Sequence, residues 1–160
     1  MLKTLSSIAL ISILVLGCAA VSPEAQVAKL AHDPAAPVSI SDFSPRMNSV
    51  GGISVEITFI NPTRNTYKYV NMMFSAHNAV GDAVSSSIGG AMRRGTQSIG
   101  PFPFGGGESN SRYGPLWYNS SITCIVLQQV EIVRMDNSKE IFDFERSKTL
   151  VAQGKNVRCR

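Results

Sequence analysis

The stretch "GGISVEITFINP", residues 51–62, carries apolar side chains at every second position: Ile53, Val55, Ile57 and Phe59 alternate with Ser54, Glu56 and Thr58. A period of two puts the first set on one face of a strand and the second on the other, so the segment reads as a half-buried β-strand. Asn61-Pro62 ends it, because proline has no amide to give to a ladder.

The same alternation spreads outward from there. After the polar turn "TRNT", the run "YKYVNMMFSAHN" offers Val70, Met72, Phe74 and Ala76 to one face and Tyr69, Asn71, Met73 and Ser75 to the other. With a short polar turn between them, the two strands are expected to form a hairpin. "AVGD" supplies a Gly-Asp turn into a third strand from Ala83 to Ile88, whereas the Gly-rich "GGAMRRGT" reads as a loop without a core of its own. "CIVLQQVEIVRM" and "EIFDF", separated by Asp136-Asn137-Ser138, read as the last hairpin, and Val38 to Phe43 as the first strand. Six to eight short strands over roughly a hundred residues are the footprint of an Ig-like antiparallel β-sandwich, with a closed barrel as the rival. In this phase Val55→Asp or Phe74→Asp buries an unpaired carboxylate and prevents folding, while Glu56→Lys on the solvent face is nearly silent.

"VEITFINPTRNTYKYVNMMFSAHNAVGDAV", then "IGPFPFGGG", then "WYNSSITCIVLQQVEIVRMDNSKEI" resembles the FxLYD-type and related Ig-like domains of bacterial exported proteins and lipoproteins. The shared pattern is an apolar strand ending in Asn, a polar turn, Lys-Tyr-Val opening the next strand, a Gly-Asp turn, a Gly-Pro segment and a final hairpin. It covers about residues 51 to 141. The resemblance implies the sandwich fold and brings no catalytic residue with it.

The amino-terminal stretch speaks to location. Lys3 is followed by an uncharged, apolar or small run from Leu5 to Gly17, the layout of an export signal. At 1.5 Å per residue it is too short to span a bilayer, which needs about 20 residues. Val15-Leu16-Gly17-Cys18 then resembles the lipobox of bacterial lipoproteins. The resemblance implies diacylglycerol on the Cys18 thiol, cleavage between Gly17 and Cys18, and acylation of the new amino terminus. The partner so implied is the lipid bilayer itself, because two or more acyl chains make anchoring effectively permanent. Ala19 rather than Asp after the cysteine implies, in a Gram-negative cell, the outer membrane, facing the periplasm or the surface. The Ala- and Pro-rich residues 19–37 read as a spacer. Within it Ser22-Pro23-Glu24 starts a short helix to about Ala31, with Ser as cap, Pro in the first turn and an acid at the positive dipole end. His32 and Asp33 follow as solvated helix-end residues.

The chain therefore divides into a signal peptide at 1–17, a lipidated and partly helical tether at 18–37, an all-β Ig-like domain at 38–145 and a basic carboxy-terminal tail at 146–160. The net charge of +4 is mild and gives no argument for nucleic acid as a partner. In the tail, Lys148, Lys155, Arg158 and Arg160 suit an anionic membrane surface or simply a solvated end. Of three cysteines, Cys18 is claimed by the lipid. Cys124 and Cys159 then form either a disulfide in an oxidising compartment or an inert core thiol and a free end.

No catalytic set can be named. His77 with Asp82 is a conceivable metal pair, but a partly exposed strand histidine accounts for it. Gly105 to Gly107 lacks the Gly-Lys-Ser/Thr of a phosphate loop and reads as a turn. Met72 fills the core, and Trp117 pins the sandwich. Neither a cofactor nor a metal is called for. The expected function is a membrane-anchored, non-catalytic structural or binding module of the cell envelope with an envelope protein as partner. The alternative is a small-ligand or metal-ion carrier in the periplasm.

Overall fold

The computed structural model describes residues 21–153 and Cys159. A capped helix α1 (Pro23–Leu30) leads into seven strands: β1 (Ser39–Met47), β2 (Gly52–Ile60), β3 (Tyr67–His77), β4 (Arg93–Phe102), β5 (Gly107–Tyr118), β6 (Cys124–Arg134) and β7 (Lys139–Phe142). A one-turn helix α2 (Phe144–Ser147) and a 3-10 turn (Lys148–Leu150) follow. The strands form two antiparallel sheets, ordered β1-β2-β5 and β4-β3-β6-β7. Among the described residues no pairing joins the sheets into a closed barrel. The strand division is that of an immunoglobulin sandwich, except that the fourth strand pairs with the third instead of the fifth.

The alternating residues fill the space between the layers. Ile53, Val55, Ile57 and Phe59 of β2 face Val70, Met72, Phe74 and Ala76 of β3, all buried. Phe43 lies 5.5 Å from Phe74, and Phe59 meets Phe102 edge-on at 5.1 Å. Trp117 is fully buried in the same cluster. Bulges let two strands change phase. In β1 the buried apolar position moves from Ile40 to Phe43 across a register shift at Ser41. In β6 the inner residues pass from Ile125 and Leu127 to Val130 and Ile132, with Gln128 as the extra residue.

The expected β2–β3 hairpin is not formed. The two strands lie in opposite sheets, and residues 61–66 cross between them. Two apolar faces in one sheet would both need a further layer, whereas in opposite sheets they bury each other. The expected third strand at 83–88 is reduced to one bridge, Ala83 to His77. Instead the segment crosses the end of the sandwich, where Ser87 N–H donates to the Tyr118 carbonyl at 2.7 Å and Tyr118 N–H donates to Ser86 Oγ at 3.1 Å. The true fourth strand starts inside the stretch read as a loop.

The tail and the tether are likewise less separate than expected. Leu150 and Val151 are buried, Val151 bridges Ile40 in parallel, and Ala152 N–H donates to the Ile40 carbonyl. The carboxy-terminal segment to residue 152 thus covers the edge of β1. Val27 of α1 and Ala36 are buried too. Lys155, Arg158 and Arg160 lie outside the described residues.

Candidate functional site at the two ends of the sandwich

The chain enters at one end. Ser22 Oγ accepts from Ala25 N–H at 3.2 Å, Pro23 opens α1, and Glu24 and Lys29 complement the helix dipole. Pro23 rests on Gly105, whose φ of +76° suits glycine and where an added Cβ would stand 2.7 Å from Pro23 Cβ. Gly105 N–H and the Gly106 carbonyl are bonded to the Asn61 backbone. The fully buried Asn61 side chain donates to the carbonyls of Asn65 and Phe102 and accepts from the Thr63 amide and hydroxyl. Asn61 therefore ties the β2–β3 crossing to the end of β4 through its side chain, and to the loop that carries α1 through its backbone. Beside it Arg64 stacks over Phe104, 4.3 Å from the ring centre.

His32 is exposed, as expected of a helix-end residue, and is also held by hydrogen bonds. Its Nε2 meets the Thr149 carbonyl at 3.1 Å and its Nδ1 meets the Ser39 hydroxyl, while its own amide donates to Ser39 Oγ. The residue after α1 therefore clamps the entry segment to β1 and to the carboxy-terminal turn. Gly17 and Cys18 lie outside the described residues. Among the described residues no helix is long and apolar enough to cross a membrane.

At the opposite end Cys124 and Cys159 are joined in a disulfide, with their Cα atoms 5.8 Å apart. Cys124 opens β6 opposite His77. His77 Nε2 lies 2.9 Å from Ser75 Oγ, and its Nδ1 lies 3.0 Å from the Gly81 carbonyl. A serine and a histidine in this order suggest a nucleophile and its base, but Gln128 Nε2 also donates to the buried Ser75 hydroxyl. This leaves a polar brace on the outer face of the sheet, with the Asp82 amide rather than its carboxylate tied to Asn78. Among the described residues no three His, Cys, Asp or Glu side chains gather as a metal site.

Between the ends, the seam where β4 faces β5 is polar. Arg94, Thr96 and Ser98 pair in register with Phe74, Met72 and Val70, so they point inward as those core residues do. Ser98 and Tyr113 share a hydrogen bond of 2.7 Å, and Tyr113 in turn donates to Glu108. Burial, then the Glu108 hydrogen bond, pushes the Tyr113 phenol up to about 12. Thr96 Oγ1 and Arg94 Nε are buried with no partner among the described residues. Sequence reading missed this seam because its inward positions are not apolar.

The seam opens at the end away from α1. A groove of about 450 Å³ lies among Ser86, Ile88, Arg94, Pro115, Leu116 and Tyr118. A second depression of about 440 Å³ shares Ile88 and Tyr118 with it and continues past Val50, Ser87 and Asn119.

Comparison of the chain with family models, curated proteins and solved structures finds no match.

Proposed function

We propose that this protein is a lipid-anchored, non-catalytic binding module of a bacterial cell envelope. The observation that carries the reading is Val15-Leu16-Gly17-Cys18 at the end of an uncharged run, four residues before the cap of α1. Such a spacing brings an acylated Cys18 close to the end of the sandwich where α1 docks. The Cys124–Cys159 disulfide supports export, since such bonds persist in oxidising compartments. The carrier reading has no cluster of metal-ligating side chains among the described residues to rest on. Ala19 after the lipid-bearing residue favours the outer membrane in a Gram-negative host.

Metabolic labelling with a fatty acid tests the anchor. The native chain should take up label and sediment with membranes, and Cys18→Ser should lose both the label and the cleavage after Gly17. Label retained by the Ser variant refutes the lipid assignment.

A further inference from the structure

We propose that the groove around Arg94 binds an extended peptide segment of a partner protein, with a carboxylate of that segment on the Arg94 guanidinium and its apolar side chains against Ile88 and Leu116. The inference deepens the binding-module reading by naming the partner's chemistry, and it does not depend on the lipid.

The groove carries an unmatched charge. Arg94 faces inward at the open end of the seam, opposite Phe74. A guanidinium stays charged at any physiological pH, and a charge taken partly out of water is costly without a partner. Its side chain makes no hydrogen bond or ion pair with a described residue, and its Nε is buried without an acceptor. No acidic residue lines either depression. A planar carboxylate on a peptide fits a free guanidinium with two parallel hydrogen bonds.

The groove's shape suits an extended chain. Both depressions are open troughs, and a small molecule would stay largely wet there, whereas small-ligand sites enclose most of their ligand. Since they share Ile88 and Tyr118, they form one continuous track that suits an extended chain at about 3.3 Å per residue. Apolar side chains are unusually bare along it: Ile88 is 62% exposed and Val50 74%. Pro115 has no amide to donate, so recognition here works through side-chain contacts more than through strand addition to β5.

The track lies at the opposite end of the strands from the loop on which α1 sits. An anchored domain would therefore hold it away from the bilayer.

A random dodecapeptide display, panned on the full chain in a non-ionic detergent, tests the proposal. Enriched sequences should carry an Asp, a Glu or a free carboxyl terminus among Leu, Ile, Val or Phe. A synthetic peptide of the enriched sequence should bind at least tenfold more weakly to Arg94→Gln, as expected for loss of a charge-assisted pair. Replacing the peptide's acid by its amide should weaken binding to the native chain and leave binding to Arg94→Gln unchanged. Ile88→Glu, on an exposed loop, should also weaken binding at least tenfold and decides the matter if Arg94→Gln does not fold. No acidic enrichment, or losses smaller than tenfold, overturns the proposal. So does a dimer in sedimentation that Arg94→Gln dissolves, because the groove's occupant would then be a second copy of this chain. Acyl labelling reports separately on the anchor, so the two readings can fail independently.

Discussion

Asn61→Ala should cost about 3 kcal/mol, a large share of the stability of a domain this size. The cost comes from the groups the substitution orphans. The bond to the Phe102 carbonyl, 2.9 Å long, is buried, so losing it strands an acceptor without water at about 1–3 kcal/mol. Bonds to the Asn65 carbonyl and from the Thr63 amide and hydroxyl are only partly buried, and water replaces part of each, leaving roughly 0.5 kcal/mol apiece. At about 3–4 °C per kcal/mol for a domain of intermediate length, the melting temperature should fall by roughly 10 °C. Denaturant titration followed by circular dichroism measures it, and an unchanged m-value shows that the folded state itself remains. Asn61→Asp is the control. Its carboxylate keeps the acceptor role toward Thr63 but faces the Phe102 carbonyl with no proton to donate, so the variant should be weaker at pH 7 than at pH 4. The bonds from the Asn61 backbone to Gly105 and Gly106 survive in Asn61→Ala, so amide exchange in α1 should stay close to that of the native chain. A cost below 1 kcal/mol, or an aspartate variant as stable as the native chain, refutes the account.

Three further outcomes follow from particular contacts. The Cys124–Cys159 bridge closes a span with a sequence separation of 35, which in the chain-entropy model contributes about 4 kcal/mol. Reduction should therefore lower the melting temperature by 10 °C or more, and the unfolded, unreduced mature chain should show no free thiol. Glu56→Lys, nearly silent on a sequence reading, should cost about 1 kcal/mol at low salt and less at high salt, because Glu56 pairs with Arg46 at 2.6 Å and lies 3.7 Å from Arg112. A zero cost at low salt contradicts that triad. Tyr113, raised to about 12, keeps its proton in the folded chain where an unfolded tyrosine has lost it. Its contribution is full below pH 10 and is lost as pH rises to about 12, so native stability should fall across that window more steeply than that of Tyr113→Phe.

How far the sequence led depended on which way the inward side chains were made. Where they are apolar, as on β2 and β3, a period of two gave both the strand and its buried face, whereas β6, whose bulge breaks the period, showed only as an apolar run before a turn. Where the inward positions are Arg94, Thr96, Ser98 and Tyr113, the same period is invisible, since hydropathy does not separate a polar residue facing a seam from one facing water. β4 and β5 were missed for this reason, and Gly95, Pro101, Gly114 and Pro115 within them made the segments resemble loops. Pro101 and Pro115 are tolerated because both strands are sheet edges. The hairpin error has another origin. Alternation reports that two strands each have an apolar face, but it does not say whether those faces lie side by side or opposite each other. That choice rests on the buried Asn61 network in the crossing, which from the sequence is only an Asn before a Pro. The docking of His32 and Val151 was equally hidden, because each depends on one contact between distant parts of the chain. The groove around Arg94 inherits all of this, being built from the segment read as a third strand, the one read as a loop and the one read as no strand at all.

If Cys18 carries the lipid as proposed, the docked entry segment has a mechanical consequence. Pro23 on Gly105, Val27 in the core and His32 on Ser39 and Thr149 fasten residues 23–39 to the sandwich. Only the residues between Cys18 and Pro23 then remain to bridge lipid and domain, a reach of at most about 17 Å at 3.3–3.6 Å per residue. From the entry end the Arg94 track is one strand length away, about 35 Å for a strand such as β3 at 3.3 Å per residue. Its distance from the membrane surface is thus bounded at roughly 50 Å, whereas a free spacer through residue 37 would more than double the slack. Val27→Asp should release α1 by burying an unpaired carboxylate while leaving the strands in place. Energy transfer from a dye on the exposed Ser120, introduced as Ser120→Cys, to acceptors in the bilayer distinguishes the two cases. The native chain should give a narrow distance distribution below that bound, and Val27→Asp a broader one reaching beyond it. Equal distributions would mean that the docked helix does not set the height of the binding track, and that a partner meets this domain on a loose tether.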